Sequence, residues 1–183
     1  MSSDLRALAE VYLSVTDRFK DRSPFNSVRT FYHGLVLGDE ESKLSFMTDE
    51  EMDTLAEMAW CVPRYKEPIA VTIRSANHAT QLVGFYVAYC RHCRTRLFAS
   101  PFSDIAQFYA GLSLSQNDIG TLKEGLNAHT KTDLKAVEAV EKPARAHQSR
   151  AVNSELARQM KQALASRARD HFIDESARNP QTE

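Results

Sequence analysis

A mainly α-helical fold is predicted, with a helix-turn-helix-like segment, one short strand and a C-terminal helical tail. Three observations predict it. Six glycines and six prolines in 183 residues leave few turn signals, which favours long helices over the tight hairpins of a sandwich or barrel. Apolar residues recur at spacings of three and four along most of the chain. Hydrophobic residues make up 43% and charged residues 26%, as in a globular chain that buries a core without help from disulfides or metals.

Taken in order, Leu5, Leu8, Tyr12, Val15 and Phe19 follow the candidate cap Ser3 and predict an amphipathic helix of about 17 residues. Ser23-Pro24 closes it, and a second helical stretch is expected over Val28 to Leu37, running into the acidic loop Gly38-Asp39-Glu40-Glu41. Thr48 with Glu51 three residues later forms a capping box, and Met52, Leu55, Ala56 and Ala59 share one face, so a helix follows from Asp49 to about Trp60. Pro63 ends it. Between Pro68 and Ser75 the run Ile69-Ala70-Val71-Thr72-Ile73 reads as a short strand. The sequence offers it no second strand, and pairing with another subunit is one way to satisfy its edge.

Ser75 opens a long central helix in which Ala79, Val83, Tyr86, Cys90, Cys93 and Leu97 keep a 4-3-4-3-4 spacing, a seam that wants to lie against another helix. A short helix around Asp104 to Ala110, a Gly/Ser turn and a helix from about Ser115 to Leu126 come next. Residues 1–127 are thus read as the helical core domain, and the polar stretch 128–152, with Pro143 inside it, as a loosely packed connector helical between Asp133 and Glu141. Asn153 caps a C-terminal amphipathic helix over 153–173, with Leu156, Met160 and Leu164 on one face and Arg158, Lys161, Arg167 and Arg169 on the other. Residues 174–183 read as a frayed tail.

Several function classes are disfavoured. A formal net charge of −1 excludes a polybasic nucleic-acid coat and leaves the question to local patches. No run of about 18 apolar residues occurs, so no membrane partner is expected. The start MSSDLRALAEVYL lacks the basic opening and apolar block of a signal peptide. With three cysteines, an odd number, this points to a reducing, cytoplasmic setting. There is no Gly-rich phosphate loop, no H-E-x-x-H and no G-x-S-x-G, and the acidic run Asp39 to Glu41 lacks calcium-loop spacing. The six histidines are scattered singly. A non-enzymatic protein is expected.

Three features remain. The first is Cys90-Arg-His-Cys93, open to three readings: buried core thiols, a zinc site completed by Cys61 and a histidine, or a redox pair. Core thiols are favoured, because both cysteines fall on the apolar seam and no second C-x-x-C follows; no cofactor is therefore assigned, with zinc held as the alternative. The second is the set Arg91, His92, Arg94 and Arg96, with no acidic residue between Ala76 and Pro101, a patch able to dock phosphates or simply a solvated face.

The third lies over residues 105–124. Phe108, Leu112, Leu114, Ile119 and Leu122 fall on positions 4, 8, 10, 15 and 18 of the roughly twenty-residue helix-turn-helix pattern. Position 5, ordinarily small, is Tyr109, and the turn glycine of position 9 is Ser113. In this reading Ser115, Gln116, Asn117 and Thr121 face the major groove, where Gln and Asn can pair with adenine, and Lys123 meets phosphate. The bulk of the phosphate contact then falls to Arg91, Arg94 and Arg96.

The order of elements resembles the flagellar master-regulator activators of the FlhD and FlhC type, including their relatives on bacterial conjugative elements. The likeness rests on the stretch from Leu44 to Tyr65: Leu44-Ser45-Phe46-Met47-Thr48 through Glu51-Met52 and Leu55-Ala56, then Cys61-Val62-Pro63-Arg64-Tyr65. Arg96 to Leu126 is similar, more loosely, to the helix-turn-helix of such activators. FlhC-type proteins bind zinc through two C-x-x-C pairs; only Cys90 and Cys93 match one, so an FlhD-like or hybrid relative fits better. The resemblance implies a DNA-binding transcriptional activator subunit acting in a homo- or hetero-oligomer, with another regulator subunit and RNA polymerase as partners. The alternative is a protein-binding adaptor of a conjugative or phage system.

Overall fold

The computed structural model describes residues 3–36, 48–59, 73, 75–150, 153, 157 and 158. The chain divides into two compact units, Met1–Gln148 and Ser149–Glu183. In the second, the described residues, all exposed, are helical at 149, 150, 153, 157 and 158; most of the expected basic helix over 153–173 and the tail over 174–183 lie outside the described residues.

The first unit is mainly α-helical. Helix α1 (Ser3–Phe19) matches the predicted amphipathic segment and runs into a tight 3₁₀ turn at Lys20–Arg22. The stretch expected as one helix from Val28 to Leu37 is two single turns, α2 (Val28–Phe31) and α3 (His33–Val36), broken at Tyr32; Leu37 lies outside the described residues. The break brings Gly34 and Thr30 against a later turn. A Cβ built on Gly34 would meet the Gln107 carbonyl oxygen and lie 2.9 Å from Gln107 Cγ, so only glycine permits this approach.

Helix α4 (Asp49–Met58) starts at the predicted capping box, with Thr48 Oγ1 accepting from the Glu51 amide and Glu51 accepting from the Thr48 amide. Met52 and Leu55 are its buried contribution. The residues 69–72 of the expected strand lie outside the described residues; Ile73 packs on the core, and no strand occurs among the described residues.

Helix α5 (Ala76–Arg96) is the axle of the unit, capped by Ser75. The predicted seam holds for Ala79, Val83, Tyr86, Cys90 and Cys93, all buried. It fails at Leu97, which is 91% exposed, because the helix stops one residue earlier and the chain leaves in another direction. After α6 (Ile105–Phe108) and a 3₁₀ turn at Ala110–Leu112, α7 (Gln116–Asn127) packs along α5.

The connector, expected to be helical only between Asp133 and Glu141, is in this unit one helix, α8, over residues 131–148, with Ala136, Val137, Val140 and Ala144 buried. Its apolar stripe is narrow, which is why the polar composition concealed its full length. Pro143 is accommodated because Pro143 and Ala139, whose carbonyl it cannot satisfy, both face solvent.

Aromatic rings fill the centre. Phe108 sits 4.6 Å from Tyr89, 5.0 Å from Tyr86, 5.1 Å from Phe102 and 5.2 Å from Phe25, centroid to centroid, most of them tilted or edge-on as ring quadrupoles prefer. Four buried tyrosine hydroxyls each donate a bond: Tyr32 to the Leu8 carbonyl, Tyr109 to the Leu82 carbonyl, Tyr89 to Ser100 Oγ and Tyr86 to Glu141 Oε1. Burial without these partners would cost each hydroxyl about 1–3 kcal/mol.

Candidate functional site

The site is built where the last two turns of α1 lie against the C-terminal half of α5. The α5 backbone closes in a Schellman motif, with the Phe98 amide donating to the Cys93 carbonyl at 2.9 Å and the Leu97 amide to the Arg94 carbonyl at 3.4 Å. This forces Leu97 into the left-handed region, at φ 58° and ψ 31°. Phe98 turns inward against the core while Arg94, Arg96 and Leu97 stay exposed.

Across from this turn, α1 supplies Ser14, Arg18 and Phe19. Ser14 Oγ lies 2.8 Å from His92 Nε2, and the Phe19 and Phe98 rings flank the imidazole at 5.9 and 6.3 Å. Burial, then the charges of Arg96 and Arg18, hold His92 below the ordinary imidazole range, so the ring is neutral at pH 7. Two guanidinium groups from different helices therefore converge beside one histidine. Lys20 and Arg22 continue the basic run in the next turn, and both are exposed. Among the described residues none of Arg18, Lys20, Arg22, Arg94 and Arg96 makes an ion pair; Asp17, exposed on the last turn of α1, is not bridged to any of them.

The predicted arginine trio is only partly available. Arg91 bonds to the carboxylate of Asp133, which is nearly buried and also accepts from the Thr130 hydroxyl at 2.8 Å. The Thr130 hydroxyl bond, with His129 and Arg91 adding to it, holds Asp133 below the usual carboxylate range. Arg91 thus fastens α5 to the start of α8, and its charge is neutralised there. Sequence spacing gave no sign of this, because the partner lies 42 positions away. Arg18, on the other hand, was missed because nothing in the sequence links the last turn of α1 to His92 on α5.

Residues 105–124 differ from a regular helix-turn-helix. The first helix is reduced to the single turn α6, followed by the 3₁₀ turn. Position 5 cannot be small here because Tyr109 is fully buried and its hydroxyl reaches the Leu82 carbonyl at 2.7 Å. The turn position is nonetheless left-handed, with Ser113 at φ 51° and ψ 40°, the conformation a glycine would supply.

In α7, Gln116, Asn117 and Lys123 are exposed, whereas the Ser115 and Thr121 hydroxyls are engaged within the helix. Ser115 Oγ accepts the Asp118 amide as N-cap and donates to the Asp118 carboxylate at 2.7 Å; Thr121 donates to the Asn117 carbonyl at 3.0 Å. Asp118 places a negative charge in the first turn, where phosphate would otherwise be welcome. Thr121 also shares a shallow groove with Thr80 of α5. Thr80 and Arg94 are 14 residues apart, about 21 Å along the helix axis at ~1.5 Å per residue. The structure therefore does not bring the arginines and the side chain of Thr121 into one patch.

Cys90 and Cys93 are fully buried between Tyr86 and Tyr89. Burial pushes both thiols up, Cys93 to about 11 and Cys90 further, which keeps them protonated and opposes thiolate chemistry and metal ligation. Cys61 lies outside the described residues, and among the described residues no group of three or more His, Cys, Asp or Glu side chains could hold a metal ion. Among the same residues no helix is long and apolar enough to cross a membrane. Neither a family model, nor a curated protein, nor a solved structure matches the chain.

Proposed function

We propose that this chain is a DNA-binding subunit of a transcription regulator and that it meets the duplex with the basic face where the last turns of α1 lie against the C-terminal half of α5. The observation that carries the reading is the exposed set Arg18, Arg94 and Arg96, flanked by Lys20 and Arg22 and without an ion-pair partner among the described residues. Guanidinium groups held on rigid helix ends engage phosphate oxygens at little entropic cost, and each engaged phosphate releases a counterion. This assignment moves the phosphate face from Arg91 to Arg18. The activator role, assembly with itself or a second regulator subunit, and contact with RNA polymerase complete the proposal; no catalytic step is part of it.

The test is a fluorescence-anisotropy titration of a labelled duplex across salt concentrations. Substituting Arg18, Arg94 and Arg96 together by Ala should flatten the slope of log affinity against log salt by about 2.7. A slope that does not change removes this face from DNA binding. One observation favours a second reading, a protein-binding adaptor of a conjugative or phage system: Asp118 makes the first turn of α7 unfriendly to phosphate while Gln116 and Asn117 stay exposed. In that case Gln116→Ala with Asn117→Ala weakens capture of a protein partner and leaves duplex binding untouched.

A further inference from the structure

Leu97 combines two local costs. It occupies the left-handed C′ position of a Schellman motif, where glycine carries no Cβ penalty, and its side chain is 91% exposed, the one large hydrophobic exposed in this way among the described residues. The inward anchoring contact of such a motif is supplied by its neighbour Phe98, so Leu97 is not needed for packing. Strain of this kind, kept at an exposed site, points to a role outside the folded chain.

The surroundings indicate what the leucine meets. Arg94 lies one turn below it on α5, Arg96 precedes it in the chain, and Arg18 approaches from α1 beside His92. An apolar tip beside Arg94 and Arg96, neither of which makes an ion pair among the described residues, suits a polyanion with an apolar interior. Stacked bases behind phosphates are such a ligand, and a single aliphatic side chain is enough to open one base step. A bilayer suits it less, since one leucine offers far too little apolar area to hold a membrane.

We infer that Leu97 is a wedge that enters the minor groove of duplex DNA between two base pairs and kinks it, with Arg94, Arg96 and Arg18 seated on the flanking phosphates. The inference rests on the DNA-binding reading above and adds the groove, the contact mode and a bent product.

Leu97→Gly tests it cleanly, because glycine relieves the left-handed backbone and the variant should melt at a higher temperature than the parent. Bending is read by energy transfer between dyes at the two ends of a short duplex, and affinity by anisotropy. Leu97→Gly should abolish the bend and lower affinity on the order of tenfold, with the salt slope unchanged, while Leu97→Phe keeps the bend. Equal bending and affinity in the Leu97→Gly variant and the parent, with a slope that still flattens when the arginines are replaced, overturns the wedge and leaves the phosphate face standing. Absence of duplex binding by the parent chain overturns both. Loss of binding to phosphatidylserine vesicles, or of self-association, in Leu97→Gly with DNA bending intact assigns the leucine to a membrane or to a second copy and overturns the wedge as well.

Discussion

Gly111 gives a sharp steric prediction, because the change is one methyl group and its surroundings are backbone. A Cβ built there meets the Thr30 carbonyl oxygen and lies 2.7 Å from the Thr30 carbonyl carbon and 3.0 Å from its Cα. Carbon atoms settle no closer than about 3.5 Å, and the carbonyl oxygen is nearer still, so the 3₁₀ turn and α2 must separate by at least about 0.8 Å. Thr30 cannot yield by rotating a side chain, and its neighbours Phe31 and Tyr32 are fixed in the aromatic centre at 1% and 0% exposure. The shift therefore propagates into the core. Overpacking costs about 1–3 kcal/mol, and backbone meeting backbone puts Gly111→Ala near 3 kcal/mol, a large share of the ~5–15 kcal/mol that holds a domain.

Gly84 and Gly120 are the internal controls. Both lie inside helices with open space at the Cβ position, so alanine there should add about 0.5–1 kcal/mol by restricting the unfolded chain. Urea unfolding followed by circular dichroism at constant m separates the three variants. Gly111→Ala within about 0.5 kcal/mol of the parent, inside ordinary surface scatter, would refute the packing account.

Two further outcomes follow from the same core. Phe108→Ala removes the ring on which Phe25, Phe85, Tyr86, Tyr89 and Phe102 converge, and should cost about 3–5 kcal/mol in the same unfolding assay. Glu141 is pushed above the usual carboxylate range by burial, against the opposing Tyr86 hydroxyl bond and the nearby Arg145 charge. Its native pKa exceeds its unfolded one, so its charged form is disfavoured by folding and stability is lost as pH rises through the native value. Glu141→Gln keeps an acceptor for Tyr86 and should gain on the parent from below that titration to above it; a stability difference flat in pH would remove Glu141 as the cause.

The helices were legible because their starts are written locally. Ser75, Asp104 and Ser115 all accept amides of their first turns as N-caps, and the Thr48–Glu51 box sits where it was read. Endings were less legible, since Leu97 carries no glycine signal and its left-handed turn is imposed by Phe98 packing inward. Helix α8 was legible only between Asp133 and Glu141, and its packing not at all, because its buried stripe is built from two alanines and two valines amid charge, with a proline on its outer face. In the candidate site the sequence identified Arg94 and Arg96, but the loss of Arg91 to Asp133 and the arrival of Arg18 are tertiary facts. Spacing along one helix reports a shared face; it carries no information about which distant element covers that face.

The four buried tyrosine hydroxyls have a consequence for how unique the packing is. Rings slide over one another at small energetic cost, so a core made of phenylalanine alone would tolerate α1, α5 and α8 rotating about their own axes. Each hydroxyl needs one particular acceptor, and together they act as dowels that allow a single rotational setting. Exchanging all four for phenylalanine preserves shape and apolar area, and the expected result is broadened side-chain resonances well before any loss of helix content. The juxtaposition of the basic residues of α1 and α5 depends on those dowels as much as on the residues that carry the charge.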